Sequence, residues 1–150
     1  MSTSRMEMST NTDGSVDPRA VVGRVYELFG KGDVPAILEH VSEDARWDHW
    51  ESNSAQAKGV PYLQARKGRK GAADFLASLA GVEMRVFEVG AILAGGNKVC
   101  AEIVIELKVK ATGKILRDEQ LHLWTLDDRG QIVGFRHYLD TAKHIEAGTP

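Results

Sequence analysis

The feature that most limits the possible folds is a change in hydrophobic period near Val82. Before it, apolar residues recur at helical spacing, and after it they alternate with polar residues as they do in strands. Three turn signals, GGN at 95–97, ATGK at 111–114 and DDRG at 127–130, divide the second part into four strands. Helices followed by such a meander predict an α+β fold, in which helices cover one face of a curved antiparallel sheet.

Helical spacing in the first part of the chain predicts three helices. The first follows Asp17, a candidate cap, with Pro18 in its opening turn, and the second starts after Asp33, so that the pair forms a hairpin. The strand EDARWDHWES comes next, and then ESNSAQAKGVPYLQARKG, which has no sustained period and is predicted to be the longest loop. The third helix, RKGAADFLASLAG, leads into the meander.

The chain has the size and composition of one domain. Its 150 residues are 43% hydrophobic and 27% charged, and we assign a single domain to residues 17–147 and a disordered, Ser/Thr-rich tail to residues 1–16. A net charge of −2 with scattered basic residues argues against a nucleic-acid partner. No apolar run reaches the roughly 18 residues of a membrane span, so no membrane partner is expected. The single Cys100 has no partner for an internal disulfide, which favours a reducing, cytoplasmic location.

Alternation along the strands assigns side chains to the two faces of the sheet. Ile103, Ile105 and Leu107 fall on one face, which we expect to meet the helices. The other face is also partly apolar, since it carries Leu121 and Tyr138. We therefore expect a homodimer in which a second copy covers this outer face.

The same sorting sends a histidine from each of three strands into one interior. These are His49, His122 and His137. The imidazole group suits general acid–base work because both of its forms exist near neutral pH. We expect His49 to be the base and the other two to be its partners. Asp118, four residues before His122, is the carboxylate that shares their face.

Apolar and aromatic side chains on the same surfaces predict the walls of a hydrophobic pocket. Flat rings suit a cyclic or aromatic ligand, and a tyrosine hydroxyl suits a developing enolate oxygen. The candidate ligand-binding residues are Tyr26, Trp47, Tyr62, Ile105, Leu107, Trp124, Phe135 and Leu139. No zinc-like Cys/His spacing occurs, so neither a metal nor another cofactor is expected.

Three segments, YELFGKGDVPAILEHVSEDARWDHW, GRKGAADFLASL and LHLWTLDDRGQIVGFRHYLDT, resemble the nuclear transport factor 2-like superfamily. This is the cone-shaped fold of ketosteroid isomerases and SnoaL-like polyketide cyclases. The resemblance covers residues 17–147 and implies a curved sheet wrapped around the three N-terminal helices. The motifs are specific for the superfamily but do not single out one activity, because this fold hosts several functions.

The resemblance also implies positions for a site. His49 falls at the aspartate base of a ketosteroid isomerase and His122 at its oxyanion-hole aspartate, while the oxyanion-hole tyrosine falls at Val25, next to Tyr26. His137 falls where proteins like limonene-epoxide hydrolase carry an aspartate, whereas apolar Ile103 and Ile105 replace the arginine–aspartate pair of those enzymes. None of the three isomerase side chains is kept, so steroid isomerisation is not supported.

Two function classes follow from these observations. The first is a small cofactor-independent enzyme of the isomerase, cyclase or dehydratase type, which transfers a proton on a hydrophobic carbonyl or polyketide-like molecule in the central pocket. The second is a noncatalytic small-molecule-binding or dimerisation module on the same fold.

Overall fold

The computed structural model describes residues 16–150. The predicted tail, residues 1–16, therefore lies outside the described residues except for Val16, which is partly buried and packs against the core. Across the described part of the chain, no helix is both long enough and apolar enough to cross a membrane.

The three predicted helices are present. Helix α1, Pro18–Gly30, begins where the Asp17 carboxylate accepts a hydrogen bond from the backbone N–H of Arg19. Helix α2, Val34–Leu38, follows at once and is capped in the same way by Asp33. The third predicted helix, Gly68–Ser78, lies immediately before the meander and is numbered α4 below.

The predicted long loop contains short regular elements. Helix α3, Ser54–Ala57, is capped by Asn53, and one turn of 3-10 helix, Pro61–Leu63, follows it. Tyr62 and Leu63 are buried in that turn, so this segment is part of the core. The two-residue strand β2, Arg66–Lys67, ends it.

The strands form one six-stranded sheet. Their bounds are β1 Val41–Trp47, β2 as above, β3 Val82–Gly95, β4 Lys98–Val109, β5 Ile115–Leu126 and β6 Ile132–Tyr138. The order across the sheet is β2-β1-β6-β5-β4-β3, and every neighbouring pair is antiparallel except β1 and β6, which are parallel. The mixed α+β cone expected from the sequence is therefore confirmed, with one parallel pair in the sheet.

A fifth helix, which the pattern did not predict, closes the chain. Helix α5, Thr141–Ala147, begins at Asp140, whose carboxylate accepts a hydrogen bond from the backbone N–H of Lys143. It packs against α3 and β5 and buries His144. A titratable side chain therefore enters the interior from a segment with no predicted role.

The core lies between the inner face of the sheet and the helices. Ile103, Ile105 and Leu107 are buried there, as alternation predicts. On the outer face, Leu93 is 60% exposed and Leu121 is 44% exposed. The sheet thus has one buried apolar face and one face that keeps apolar side chains in contact with solvent.

Candidate functional site

An apolar cavity lies between the inner face of the sheet and helices α1, α2 and α4. Its volume is about 80 Å³. All eight side chains predicted to bind a ligand line it, together with His122, His137 and Gln120. The remaining lining residues are Val25, Phe29, Ile37, Phe75, Leu76, Leu79, Met84 and Phe87. The polar groups of the cavity are thus few and stand out against an apolar wall.

His137 forms a dyad with Asp48 at this wall. Nδ1 of His137 lies 2.7 Å from Oδ2 of Asp48, and the backbone N–H of His137 donates to Oδ1 of Asp48 at 2.8 Å. Because a carboxylate only accepts, Nδ1 of His137 carries the proton of this hydrogen bond. Nε2 makes no hydrogen bond within the described residues, so it is the ring nitrogen that is free for a ligand in the cavity.

The backbone at Asp48 brings its carboxylate inside. Asp48 has a φ of 53°, in the left-handed region that aspartate tolerates better than most residues. Its backbone N–H donates to the carbonyl of Phe135, and its carbonyl accepts from Nε2 of Gln56. At the next residue, the guanidinium of Arg136 donates two hydrogen bonds to the carbonyl of His49. These bonds hold the unusual conformation, so that Trp47 and Asp48 are both buried although they are neighbours on one chain.

The expectation that His49 points into the same interior is wrong. The reversal at Asp48 interrupts the alternation, and Nε2 of His49 lies 2.9 Å from the carbonyl oxygen of Arg66. His49 lines a separate groove beside Arg46 and Lys98 and does not contact the cavity. Asp48, which simple alternation places on the opposite face, takes the inward position instead.

His122 belongs to a hydrogen-bond network within the protein. The hydroxyl of Tyr26 lies 2.7 Å from Nδ1 of His122 and accepts the indole N–H of Trp124 at 3.0 Å, while Nε2 of His122 lies 3.1 Å from Oε1 of Gln120. Since an amide oxygen only accepts, Nε2 of His122 donates to it and Nδ1 accepts the Tyr26 proton. Both ring nitrogens are therefore used within the protein.

Burial keeps the two titratable groups of this network, His122 and Tyr26, uncharged. Desolvation, with a smaller contribution from nearby His137, lowers the pKa of His122 well below its ordinary value, so the ring is neutral. Burial likewise raises the pKa of Tyr26, which stays a phenol. The His122 and His137 rings lie 5.0 Å apart between centroids, close enough that a charge on His137 opposes protonation of His122.

A second polar cluster was missed by sequence reasoning. The hydroxyl of Tyr62 lies 2.6 Å from Nδ1 of His144, and Nε2 of His144 lies 2.8 Å from Oδ2 of Asp118. Asp118 lies on the inner face with His122, as expected, but its carboxylate pairs with His144 on α5. The sequence signal that would have found this helix is Asp140, a capping residue directly before it.

Within residues 16–150, no group of three or more His, Cys, Asp or Glu side chains is arranged to hold a metal ion. One buried polar atom of the cavity wall, Nε1 of Trp47, has no hydrogen-bond partner among these residues.

The chain belongs to the family of SnoaL-like domains, whose model matches residues 22–135. Nuclear transport factor 2-like proteins are its structural relatives, as the sequence resemblance implied. A search of curated proteins finds no match. Membership of this family makes the chain a small-molecule enzyme or binding protein of the cone fold.

Solved structures confirm the fold. An NTF2-like protein from Burkholderia thailandensis aligns with a TM-score of 0.75 and 20% identity over 89% of this chain and 98% of its own. TerC, co-crystallised with polyporic acid, aligns with a TM-score of 0.71 and 22% identity over 87% of this chain and 98% of its own. A putative polyketide cyclase from Xanthomonas campestris aligns with a TM-score of 0.64 and 22% identity over 88% of this chain and 96% of its own.

Proposed function

We propose that the chain is a cofactor-independent enzyme that transfers a proton on a hydrophobic cyclic or aromatic carbonyl compound bound in the cavity. The observation that carries this proposal is the Asp48–His137 dyad, 2.7 Å between Oδ2 and Nδ1, in a wall that is otherwise mostly apolar. His137 is the base in this account, in place of His49. A carbonyl compound fits because its oxygen takes up the negative charge when an imidazole base removes the α-proton.

The dyad defines the proton's route. Asp48 holds the proton on Nδ1, which leaves the lone pair of Nε2 for the substrate C–H. When Nε2 takes that proton, the carboxylate stabilises the imidazolium, and the same nitrogen returns the proton to a second atom of the substrate. In an isomerisation the proton returns to another carbon of the enolate. In an aldol cyclisation the enolate carbon bonds to a second carbonyl carbon of the ligand, and the proton goes to the resulting alkoxide oxygen. In a dehydration the proton goes to a hydroxyl on the neighbouring carbon, which leaves as water when its C–O bond breaks.

His122 and Tyr26 act as partners by shaping the wall. Because Nδ1 and Nε2 of His122 are both hydrogen-bonded within the protein, this ring holds Tyr26 and Gln120 in place and leaves the base role to His137. Because His122 is neutral, it adds no second positive charge 5.0 Å from the His137 ring when that ring becomes an imidazolium.

The wall supports a flat, largely apolar ligand. The Phe135 ring lies 4.5 Å between centroids from both Trp47 and Trp124, so the three form a continuous aromatic surface. The names of two structural neighbours agree with that class: one is a putative polyketide cyclase, and the other was crystallised with polyporic acid.

One observation favours the alternative of a noncatalytic binding module. The cavity wall carries two imidazoles, His122 and His137. Both ring nitrogens of His122 are already hydrogen-bonded within the protein. A cavity with one free imidazole nitrogen needs no chemistry to hold an apolar ligand.

Exchange of substrate protons with solvent separates the two functions without knowledge of the product. The full chain is first screened by tryptophan fluorescence against polyporic acid, flavonoids, steroids and small aromatic ketones. Proton NMR in D₂O then follows loss of the α-proton signals of 2-tetralone and of each ketone that binds. Exchange above the uncatalysed rate supports the enzyme, whereas binding without exchange for every ketone supports the binding module.

We further propose that a second copy covers the outer sheet face. Three apolar or aromatic side chains there are between 40% and 60% exposed: Leu93, Leu121 and Tyr138. Large apolar side chains exposed on one face of a sheet agree with an interface there. A cytoplasmic location, expected from the lone Cys100, also stays a prediction.

A further inference from the structure

The Tyr62–His144–Asp118 cluster has the connectivity of a proton relay. Tyr62 lines the cavity, His144 lies behind it with a fully buried side chain, and the Asp118 side chain is only 3% exposed behind His144. Asp118 accepts from Nε2–H of His144, so Nδ1 of His144 is the acceptor of the Tyr62 hydroxyl proton. A hydroxyl, an imidazole and a carboxylate therefore run in order from the cavity into the core.

We propose that Tyr62 exchanges a proton with an oxygen atom of the bound ligand, and that His144 and Asp118 are positioning residues which receive and stabilise that proton. The proposal rests on the proposed function of the cavity and deepens it, because it assigns a second proton-transfer group besides His137. The ligand class it specifies is a compound with an enol, phenol or other acidic hydroxyl.

The transfer balances within the three side chains. A ligand O–H donates to the oxygen of Tyr62 and its bond breaks as a new O–H bond forms there. The original hydroxyl proton of Tyr62 passes to Nδ1 of His144, and the electron pair of that O–H bond stays on the Tyr62 oxygen. The ligand becomes an oxyanion and His144 an imidazolium, whose charge Asp118 stabilises.

The reverse step makes Tyr62 a donor. When His144 carries both protons, its Nδ1–H donates to the Tyr62 oxygen and the phenolic O–H turns toward the ligand. Tyr62 is thus an acceptor toward the cavity when His144 is neutral and a donor when His144 is charged. Tyr62 can therefore accept a proton from the ligand in one direction of an enolisation and donate one in the other, and it does not have to remain a phenolate between the two.

The surroundings of the relay favour uncharged Tyr62 and His144 before a ligand binds. Burial lowers the pKa of His144, although Asp118 and Asp140 act in the opposite direction, and His137 adds to the lowering. Burial and the Asp118 charge raise the pKa of Tyr62. The relay therefore rests as a phenol and a neutral imidazole.

Paired probes test the contact at Tyr62. The full chain is titrated with 4-nitrophenol and with 4-nitroanisole, which has the same ring but no hydroxyl proton, and binding is followed by tryptophan fluorescence. We expect a preference for the phenol that falls roughly three- to tenfold in Tyr62→Phe, the effect of one hydrogen bond. Tyr138→Phe, on the outer face, is the matched control. An unchanged preference in Tyr62→Phe would overturn the proposal.

Nitrogen NMR tests the part of His144. In the native chain the spectrum should show a protonated Nε2 and a bare Nδ1 for this ring, and 4-nitrophenol should shift Nδ1 toward the protonated state. The shift should vanish in Tyr62→Phe and shrink in Asp118→Asn, which keeps an acceptor but removes the charge. A proton on Nδ1 with a bare Nε2, or a shift that survives in Tyr62→Phe, contradicts the relay.

These readouts are independent of turnover at His137. If 2-tetralone shows no exchange but the nitrophenol effects depend on Tyr62, the relay stands and the proposed enzyme function fails. Exchange that requires His137, with nitrophenol effects that ignore Tyr62, gives the opposite result.

Discussion

The carboxylate of Asp48 contacts His137 twice, accepting from the backbone N–H of His137 at 2.8 Å and lying 2.7 Å from its ring Nδ1. These two residues are 89 positions apart, and the parallel pairing of β1 with β6 brings them together. One side chain therefore fixes both the strand end and the ring orientation of the proposed base.

Asp48→Asn should reduce proton exchange by about 10²- to 10⁴-fold, the usual contribution of a positioned acid–base group, because the amide no longer stabilises the imidazolium. Asparagine tolerates the left-handed backbone at this position, so the fold should survive. The exchange rate of 2-tetralone is measured beside Asp44→Asn, a change at an exposed aspartate of strand β1. Equal rates in the two variants would remove Asp48 from the mechanism.

Tyr26→Phe should lower the free energy of unfolding by about 1–3 kcal/mol, since the hydroxyl is the partner of two buried groups, on His122 and Trp124. Urea denaturation measures the change. Tyr138→Phe, at a tyrosine that is 40% exposed, should stay within about 0.5 kcal/mol of the native chain. If both variants have native stability, the hydrogen-bond chain does not hold the wall together.

The free energy of unfolding should fall as the pH drops below about 6.5, the ordinary pKa of histidine. Burial lowers the pKa values of His122 and His144 in the folded chain, so unfolding lets these rings take up protons that the folded state refuses. Each ring contributes a slope of at most about 1.4 kcal/mol per pH unit between its folded pKa and 6.5.

Urea titrations at several pH values between 5 and 7.5 measure this slope. His122→Gln should flatten it, because one of the two buried rings is gone. A native chain whose stability is constant across the range, or rises toward acid, contradicts neutral buried imidazoles.

Leu121→Asp should convert the proposed dimer to a monomer, because a charge at the centre of the outer face has to be buried on association. Light scattering gives the mass. Ala77→Asp, which adds the same charge to the exposed side of α4, should leave the dimer intact. A native chain that already has the monomer mass would refute the dimer.

Local signals were enough to predict most of the fold. The caps at Asp17 and Asp33 and the turns of the meander depend on neighbouring residues, and each is found where the sequence places it. Helix α5 was missed because its seven residues are too few to show a clear period, and tertiary packing against β5 stabilises it.

The site could be predicted only in part. The walls follow from alternation along regular strands, so Ile105, Trp124 and Phe135 line the cavity as expected. His49 was misplaced because one left-handed residue, Asp48, reverses the order of faces, and the bonds that stabilise it come from distant parts of the chain. Sequence spacing carries no signal for such bonds.

The most direct test of the proposed site compares two histidines in one assay. Proton exchange of 2-tetralone in D₂O is measured for the native chain, His137→Gln and His49→Gln, with circular dichroism to confirm that each variant is folded. The dyad predicts a loss of at least about a hundredfold for His137→Gln and a nearly native rate for His49→Gln. A native rate in His137→Gln with a large loss in His49→Gln would contradict it.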